Sequence, residues 1–354
     1  MTTRRQFLTA GLLAVVAAGG FERLAAQGLL PPKSPVGLAG AANGRHSGGL
    51  PSFFEALRAR PVAYVEYCRS LGAGGIQAGI ATDLAAVRKR LDELGMYYEG
   101  NAALPRTLDE STDAFEQSLT NAKALGATLV RTVSRPPQGT SGRRYEGFTS
   151  RQQYVDWLQT ANAIVEKCLP IAERHGIVIA LENHKDRSVD EHVAFLQRIS
   201  SPYLGSLIDP GNNMSFMERP EETVGKLAPF VKATSLKDMG VAPYEDGFLL
   251  SEVRFGTGMT DQKALFELMR SHNPKLNAMA ELITRDPLKV PVLTDDYYRS
   301  FPDGYRARVD GWLAMVRERA SLLPYPSQLS SSEQLLLEET NNRDTFAWGL
   351  ANLS

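Results

Sequence analysis

A (β/α)8 barrel, the TIM barrel of the α/β class, is the fold this sequence predicts. Three observations carry it. Short apolar runs recur at 36–39, 75–78, 96–99, 128–133, 178–181, 205–208, 230–233 and 277–282, and the segments between them have helical periodicity. The helical segments stop at a glycine just before the next run, as at Gly95, Gly126 and Gly176. Several runs end abruptly in carboxylate, amide or imidazole groups, as in Ile179-Ala-Leu-Glu-Asn-His184 and Leu207-Ile-Asp-Pro-Gly-Asn212. Buried parallel strands read as continuous apolar runs, and in such a barrel the functional groups collect at the C-terminal strand ends. An open doubly wound sheet is the rival fold. No Gly-x-Gly-x-x-Gly follows the first run, however, and Gly72-Ala-Gly-Gly75 precedes a strand, so it reads as a helix stop with a turn.

Taken in order, the chain opens with a leader over residues 1–30. Arg4-Arg5-Gln6-Phe7-Leu8 precedes a short apolar run to Gly20, and the pair of arginines followed by Phe-Leu resembles a twin-arginine export signal. The run is too short and too rich in Gly and Ala for a stable membrane span. Export would place the protein in the periplasm or outside the cell. The barrel is assigned to 34–322. Within it, apolar positions 84, 87, 91 and 94 make one helical stripe that Gly95 terminates. Residues 108–125 and 149–175 end the same way, and Ser188-Val-Asp-Glu191 has capping-box spacing for a helix to about residue 199. Two regions fall outside the repeat. Residues 243–258 form a long connection of the kind that serves as a lid. The tail, 323–354, has one amphipathic stretch at 330–339, expected to pack on a barrel end or on a second copy in a homo-oligomer, with a loose terminus as the equal alternative.

Composition narrows the function. Hydrophobic residues make up 43% and charged residues 22% of the chain, with a formal net charge of −1. Those are globular values, and near-neutrality removes the electrostatic case for nucleic acid or an anionic membrane as partner. Cys68 and Cys168 lie in separate helical segments and read as buried free thiols. Of the five histidines, His184 is the one placed for chemistry, with His46 in a loop that could reach the barrel mouth. No Ser–His–Asp arrangement or nucleophile elbow is present.

The strand ends carry the chemistry. Val231-Lys-Ala-Thr-Ser-Leu-Lys-Asp238 and Leu276-Asn-Ala-Met-Ala-Glu281 repeat the pattern, so four strand ends would aim Glu182, Asp209, Asp238 and Glu281 at one point. Strand residues alternate in direction. Glu182 and His184 therefore share a side, as do Ser235 and Lys237, while Asn183 points the other way. Carboxylates gathered at a barrel mouth either bind a hard cation such as Mg²⁺ or Mn²⁺ or shuttle protons with pKa values tuned by burial and like charge.

The Glu-x-x strand end, Asp209-Pro-Gly-Asn212, Leu236-Lys-Asp238 and the final strand-end Glu281 resemble the sugar phosphate isomerase/epimerase family with its xylose isomerase-like TIM barrel, over about residues 34–320. The resemblance implies Glu182, Asp209 and Glu281 as ligands of a divalent metal. The family's histidine ligand falls at Ser235. That departure favours Mn²⁺ or Mg²⁺ over Zn²⁺, and three readings stay open: His184 supplies a nitrogen from the neighbouring strand end, water fills the place, or no metal binds and Lys237 provides the positive charge. It also implies Glu182 and Glu281 as an acid/base pair, and Lys237, beside Asp238, on the electrophilic side. Asn212, His184, Asp238, Gln77, Glu99, Arg131 and Arg254 are the candidates for substrate contact.

The implied reaction is proton abstraction α to the carbonyl of a keto-sugar or an oxidised glycoside. Export and the lack of a Lys/Arg cluster favour an unphosphorylated carbohydrate. Two alternatives stay open at this point: a lyase or hydratase acting on 3-keto-glycosides through the same enediolate, and a non-catalytic sugar-binding barrel. The related endonucleases need several histidines, at positions held here by Asn212 and Ser235.

Overall fold

Alternating apolar runs and amphipathic helices leave few ways to bury both, and the chain takes the barrel solution. In the computed structural model, which describes residues 20–43, 60–140 and 142–353, eight parallel strands form one sheet: β1 Val36–Ala39, β2 Gly75–Ala78, β3 Tyr97–Asn101, β4 Leu129–Thr132, β5 Val178–Glu182, β6 Leu204–Ile208, β7 Val231–Thr234 and β10 Ala278–Ala280. β1 lies between β10 and β2, and the order then follows the chain to β7. A parallel bridge between Leu236 and Ala280 brings β7 to β10, with Leu236 N–H donating to the Met279 carbonyl at 2.7 Å. The sheet is thus nearly closed. The expected TIM barrel is the observed fold.

The helices follow their sequence signals. Leu84–Leu94 ends at Gly95, Asp113–Ala124 is followed by Gly126, and Arg151–His175 starts on a Ser150 side-chain cap and ends at Gly176. Val189–Ile199 has the full capping box between Ser188 and Glu191. The glycines after these helices carry positive φ, the conformation that closes a helix end without a Cβ clash. Cys68 and Cys168 are both buried and free.

Inside the barrel the side chains stack by period two. Leu129, Ala180, Leu207 and Ala233 pack together in the middle. Below them Tyr97 reaches across the floor, its hydroxyl 3.0 Å from the Pro35 carbonyl and 2.9 Å from that of Ala278. Gly75 and Gly37 leave the room it needs: a Cβ on Gly75 would lie 2.3 Å from the Tyr97 ring, and one on Gly37 2.8 Å from its hydroxyl.

Two regions differ from expectation. Residues 243–258 are not a loop-like lid. β8 Asp238–Tyr244 and β9 Gly247–Val253 form an antiparallel hairpin, extended by β11 Leu288–Val290. Met239, Val241, Phe248 and Leu250 bury alternate positions against Val290 and Trp312 in a second core, and Glu245-Asp246-Gly247 supplies the tight turn. The tail holds a helix of 22 residues, Ser331–Asn352, rather than a short amphipathic stretch. Its buried face includes Glu338, Asn341, Asn342 and Thr345 beside Phe346, so its apolar stripe is faint in sequence. Phe346 packs over Gly72 and Gly349 against Val36, which places the helix beside β1.

The helix Gly20–Ala26 buries Phe21, with the Arg90 guanidinium 5.1 Å from the ring centre. The Arg4-Arg5 motif and His46 lie outside the described residues. Among the described residues no helix is long and apolar enough to cross a membrane.

The floor contact has a direct test. G75A forces a Cβ into a ring with no space to move, and overpacking of this kind costs about 1–3 kcal/mol. Urea denaturation should show a lower midpoint at an unchanged slope; an unchanged midpoint would refute the floor role of Tyr97.

Candidate active site

The C-terminal strand ends bring six inward side chains together. Arg131 is next to last in β4, Glu182 ends β5, Asp209 follows β6, Ser235 and Lys237 follow β7, and Glu281 follows β10. Glu182, Asp209 and Glu281 are buried and each offers a carboxylate oxygen within 4.8 Å of the others. Two cations hold them. Lys237 Nζ lies 2.9 Å from Asp209 Oδ2 and 2.6 Å from Glu281 Oε2. The Arg131 guanidinium pairs with Glu182, its Nε at 2.6 Å from Oε2, and reaches Glu281 Oε1 at 4.0 Å. The Ser235 hydroxyl donates to Glu281 Oε2 at 3.0 Å.

Amides fix the frame around this cluster. Asn183 points away from Glu182, as alternation requires, and ties β5 to β6: its Nδ2 donates to the Asp209 carbonyl and its Oδ1 accepts from Asp209 N–H, both at 2.8 Å. Asp209 Oδ1 accepts from the N–H groups of Gly211 and Asn212. Asn212 Nδ2 in turn donates to Glu182 Oε1 at 3.0 Å.

The charges of the cluster separate the two glutamates. Burial raises the pKa of Glu182, opposed by Arg131 and reinforced by Glu281. Burial also works against Glu281, but the Lys237 ammonium and then Arg131 hold it well below the usual carboxylate range. Asp209 is pushed up to about 6, chiefly by burial, with Lys237 pulling the other way. Lys237 is buried too, yet Asp209 and Glu281 keep it firmly charged. His184 is brought down to about 3 by burial and by Lys185, Arg131 and Lys237, so its imidazole is neutral near pH 7.

The profile of the xylose isomerase-like TIM barrel family matches residues 63–300. The chain belongs to that family. It is 28% identical over 209 residues to the 3-oxo-isoapionate decarboxylase of Pectobacterium atrosepticum, covering 58% of this chain and 68% of that one. Among solved structures it is similar to a xylose isomerase-like TIM barrel protein from Mycobacterium smegmatis in complex with magnesium, at 16% identity and a TM-score of 0.49, covering 80% and 96% of the two chains. It is also similar to a 3-keto-D-glucoside 4-epimerase from E. coli, at 14% identity and a TM-score of 0.48, covering 81% and 100%.

The family's barrel mouth suits a hard divalent cation in this chain. Three buried carboxylates converge, each offering an oxygen within 4.8 Å of the others, with Lys237 Nζ 2.9 Å from Asp209 Oδ2. Glu182, Asp209 and Glu281 would hold the ion, an all-oxygen set. Ser235, where the sequence resemblance expects a histidine, offers a hydroxyl. His184 is not among the groups clustered within 4.8 Å.

Four other sequence candidates lie elsewhere. Asp238 does not join the cluster: Lys237 points inward, so Asp238 points outward. Its carboxylate accepts from the N–H groups of Gly256, Gly258 and Thr260 and from the Thr260 hydroxyl, pinning the loop that follows the hairpin. Arg254 is half-exposed and pairs with Asp344 of the tail helix at 2.9 Å. Gln77 and Glu99 are buried within the barrel, where Gln77 Nε2 and Asn277 Nδ2 donate to the two Glu99 oxygens at 2.9 and 3.0 Å. The main group missed by sequence reasoning is Lys185, 5% exposed, whose ammonium donates to Asn212 Oδ1. Its position directly after His184 in a strand-end motif was the available signal.

Two measurements follow. D209N should weaken Mn²⁺ binding, read by electron paramagnetic resonance, by about tenfold or more, because it removes a charged oxygen donor; equal affinity would exclude Asp209 as a ligand. Burial holds Glu99 at about 7 against an ordinary 4.5. The folded state therefore keeps a proton that the unfolded chain loses, and stability falls as pH rises through that window, by on the order of 3 kcal/mol. E99Q removes the titration, so its stability gain over wild type should grow from pH 5 to pH 8; a constant offset in chemical denaturation would contradict the assignment.

Proposed function

We propose that this protein is a sugar-modifying enzyme that abstracts a proton α to the carbonyl of a keto-sugar or an oxidised glycoside. One observation carries the reading: two glutamates face each other across the mouth, one with its proton affinity raised and the other held ionised. Binding alone needs no such division, whereas acid/base chemistry depends on it.

In this mechanism the ionised Glu281 takes the α-proton. The C–H electron pair moves into the carbonyl, and the resulting enediolate oxygen lies against the Lys237 ammonium, which Asp209 holds in place. Delivery of the Glu182 proton to the opposite face gives epimerisation, and return of the abstracted proton from Glu281 to the adjacent carbon gives isomerisation. A divalent cation on Glu182, Asp209 and Glu281, Mg²⁺ or Mn²⁺ from the oxygen donors, would polarise the carbonyl and stabilise the same oxyanion. Arg131 orients Glu182, and Asn212 holds its other oxygen.

A second reading has its own support, the relative named as a decarboxylase of a 3-oxo acid. Loss of CO₂ from such an acid leaves the C–C electron pair as an enolate, which the Lys237 ammonium would hold and the Glu182 carboxylic acid would protonate. The arginine-pair leader supports export, and with it an unphosphorylated substrate outside the cytoplasm.

E281Q should lower kcat by about 10²–10⁴-fold while KM for the best keto-sugar changes by a few fold. Solvent-deuterium incorporation into keto-sugars and 3-keto-glycosides, followed by NMR, reads the same step. Turnover retained in E281Q would sink the acid/base assignment.

A further inference from the structure

Four lysine or arginine residues are nine-tenths or more buried among the described residues: Arg144, Lys185, Arg187 and Lys237. Three have carboxylate partners. Arg144 pairs with Glu191 at 2.8 Å, Arg187 with Asp186 at 3.2 Å, and Lys237 with Asp209 and Glu281. Lys185 has none within 4.0 Å among the described residues; its acceptor is the neutral amide oxygen of Asn212. The carboxylates nearby are committed elsewhere. Asp186 serves Arg187, Glu252 serves Arg285 at 3.1 Å, and Glu182 serves Arg131.

A buried ammonium with one neutral acceptor is costly, because water is lost and no opposite charge replaces it. Burial, then Lys237 and Arg285, accordingly bring its pKa down to about 8. The backbone adds a second cost. Lys185 sits at φ +57°, a region non-glycine residues seldom occupy, and its carbonyl is pinned there by Arg144 N–H at 2.9 Å. Despite these costs the ammonium lies against Asn212, the residue whose Nδ2 donates to Glu182. With one N–H on Asn212, two remain for a ligand.

We propose that Lys185 is the counter-ion for a carboxylate of the substrate, which makes the substrate a sugar acid rather than a neutral sugar. This rests on the enolising reading of the same mouth. Arg131 and Lys237 are tied to the catalytic carboxylates, so Lys185 is the buried cation free to meet an anion. A carboxylate there would gain charge-assisted hydrogen bonds in a site shielded from water.

Calorimetric titration of the full protein with four- to six-carbon aldonates, each against the alditol of the same carbon skeleton, tests this. Wild type should bind at least one aldonate tenfold or more tightly than its alditol. In K185M the two should differ by less than about threefold, and K185R should keep part of the preference; K185Q serves if K185M fails to fold by circular dichroism. Equal affinity within every pair, no binding of any aldonate, or a preference that survives loss of the charge would overturn the proposal. Deuterium exchange separates the two claims. Exchange into a neutral keto-sugar without carboxylate preference rejects the role of Lys185 and leaves the enolising reading standing. A preference abolished in K185M, with no exchange into any keto-sugar or keto acid, rejects the enolising reading and leaves Lys185 in place.

Discussion

The Lys237 ammonium, seated between Asp209 and Glu281, is the interaction on which the barrel mouth depends. Three buried carboxylates within 4.8 Å would repel one another and protonate without a counter-charge. One compact cation held by two strand ends keeps Glu281 ionised and leaves Glu182 as the group with raised proton affinity. Lys237 owes its position to the bridge at Leu236, which also draws β7 to β10. Closure of the barrel and polarity of the site are therefore set by adjacent residues.

The same alternation that turns Lys237 inward turns Asp238 outward, where it gathers backbone donors from residues 256–260. The hairpin and its return loop are thus anchored by the residue next to the central cation. Glu252 on the hairpin and Arg285 after β10 form a further ion pair beside the mouth. The second core beneath the hairpin, built on Phe248, Leu250 and Trp312, gives these polar groups a rigid backing.

Much of this was legible in the chain because it rests on local rules. The eight apolar runs, the glycine stops and the Ser188 capping box are short-range signals, and the barrel follows from their order. Glu182, Asp209 and Glu281 were readable as strand-end carboxylates, and their meeting point followed from the fold. What was not legible depends on contacts distant in sequence. The hairpin leaves no local signature because its buried positions pair with Val290 and Trp312. The tail helix was hidden by a buried face of Asn, Thr and Glu, which only the packed neighbours satisfy, as when Asn342 Nδ2 donates to Asn43 Oδ1 at 3.1 Å. Gln77 and Glu99 read as mouth residues, but inward direction fixes neither depth nor partner. The strand-end motif places Lys185 near the mouth, but nothing in its immediate sequence marks the left-handed backbone that it adopts.

The tail helix has a consequence for how the chain reaches its native state. Residues 331–352 lie against Gly72 and Val36, and β10 pairs with β1, so the first strand is flanked on one side by segments made some 240 to 310 positions later. A ribosome that has released β1 through β7 holds an open sheet with two exposed parallel edges, at β1 and at β7. Such edges invite pairing with other chains until they are covered. Ring closure is therefore a late, long-range event, and the growing chain needs protection over most of its synthesis.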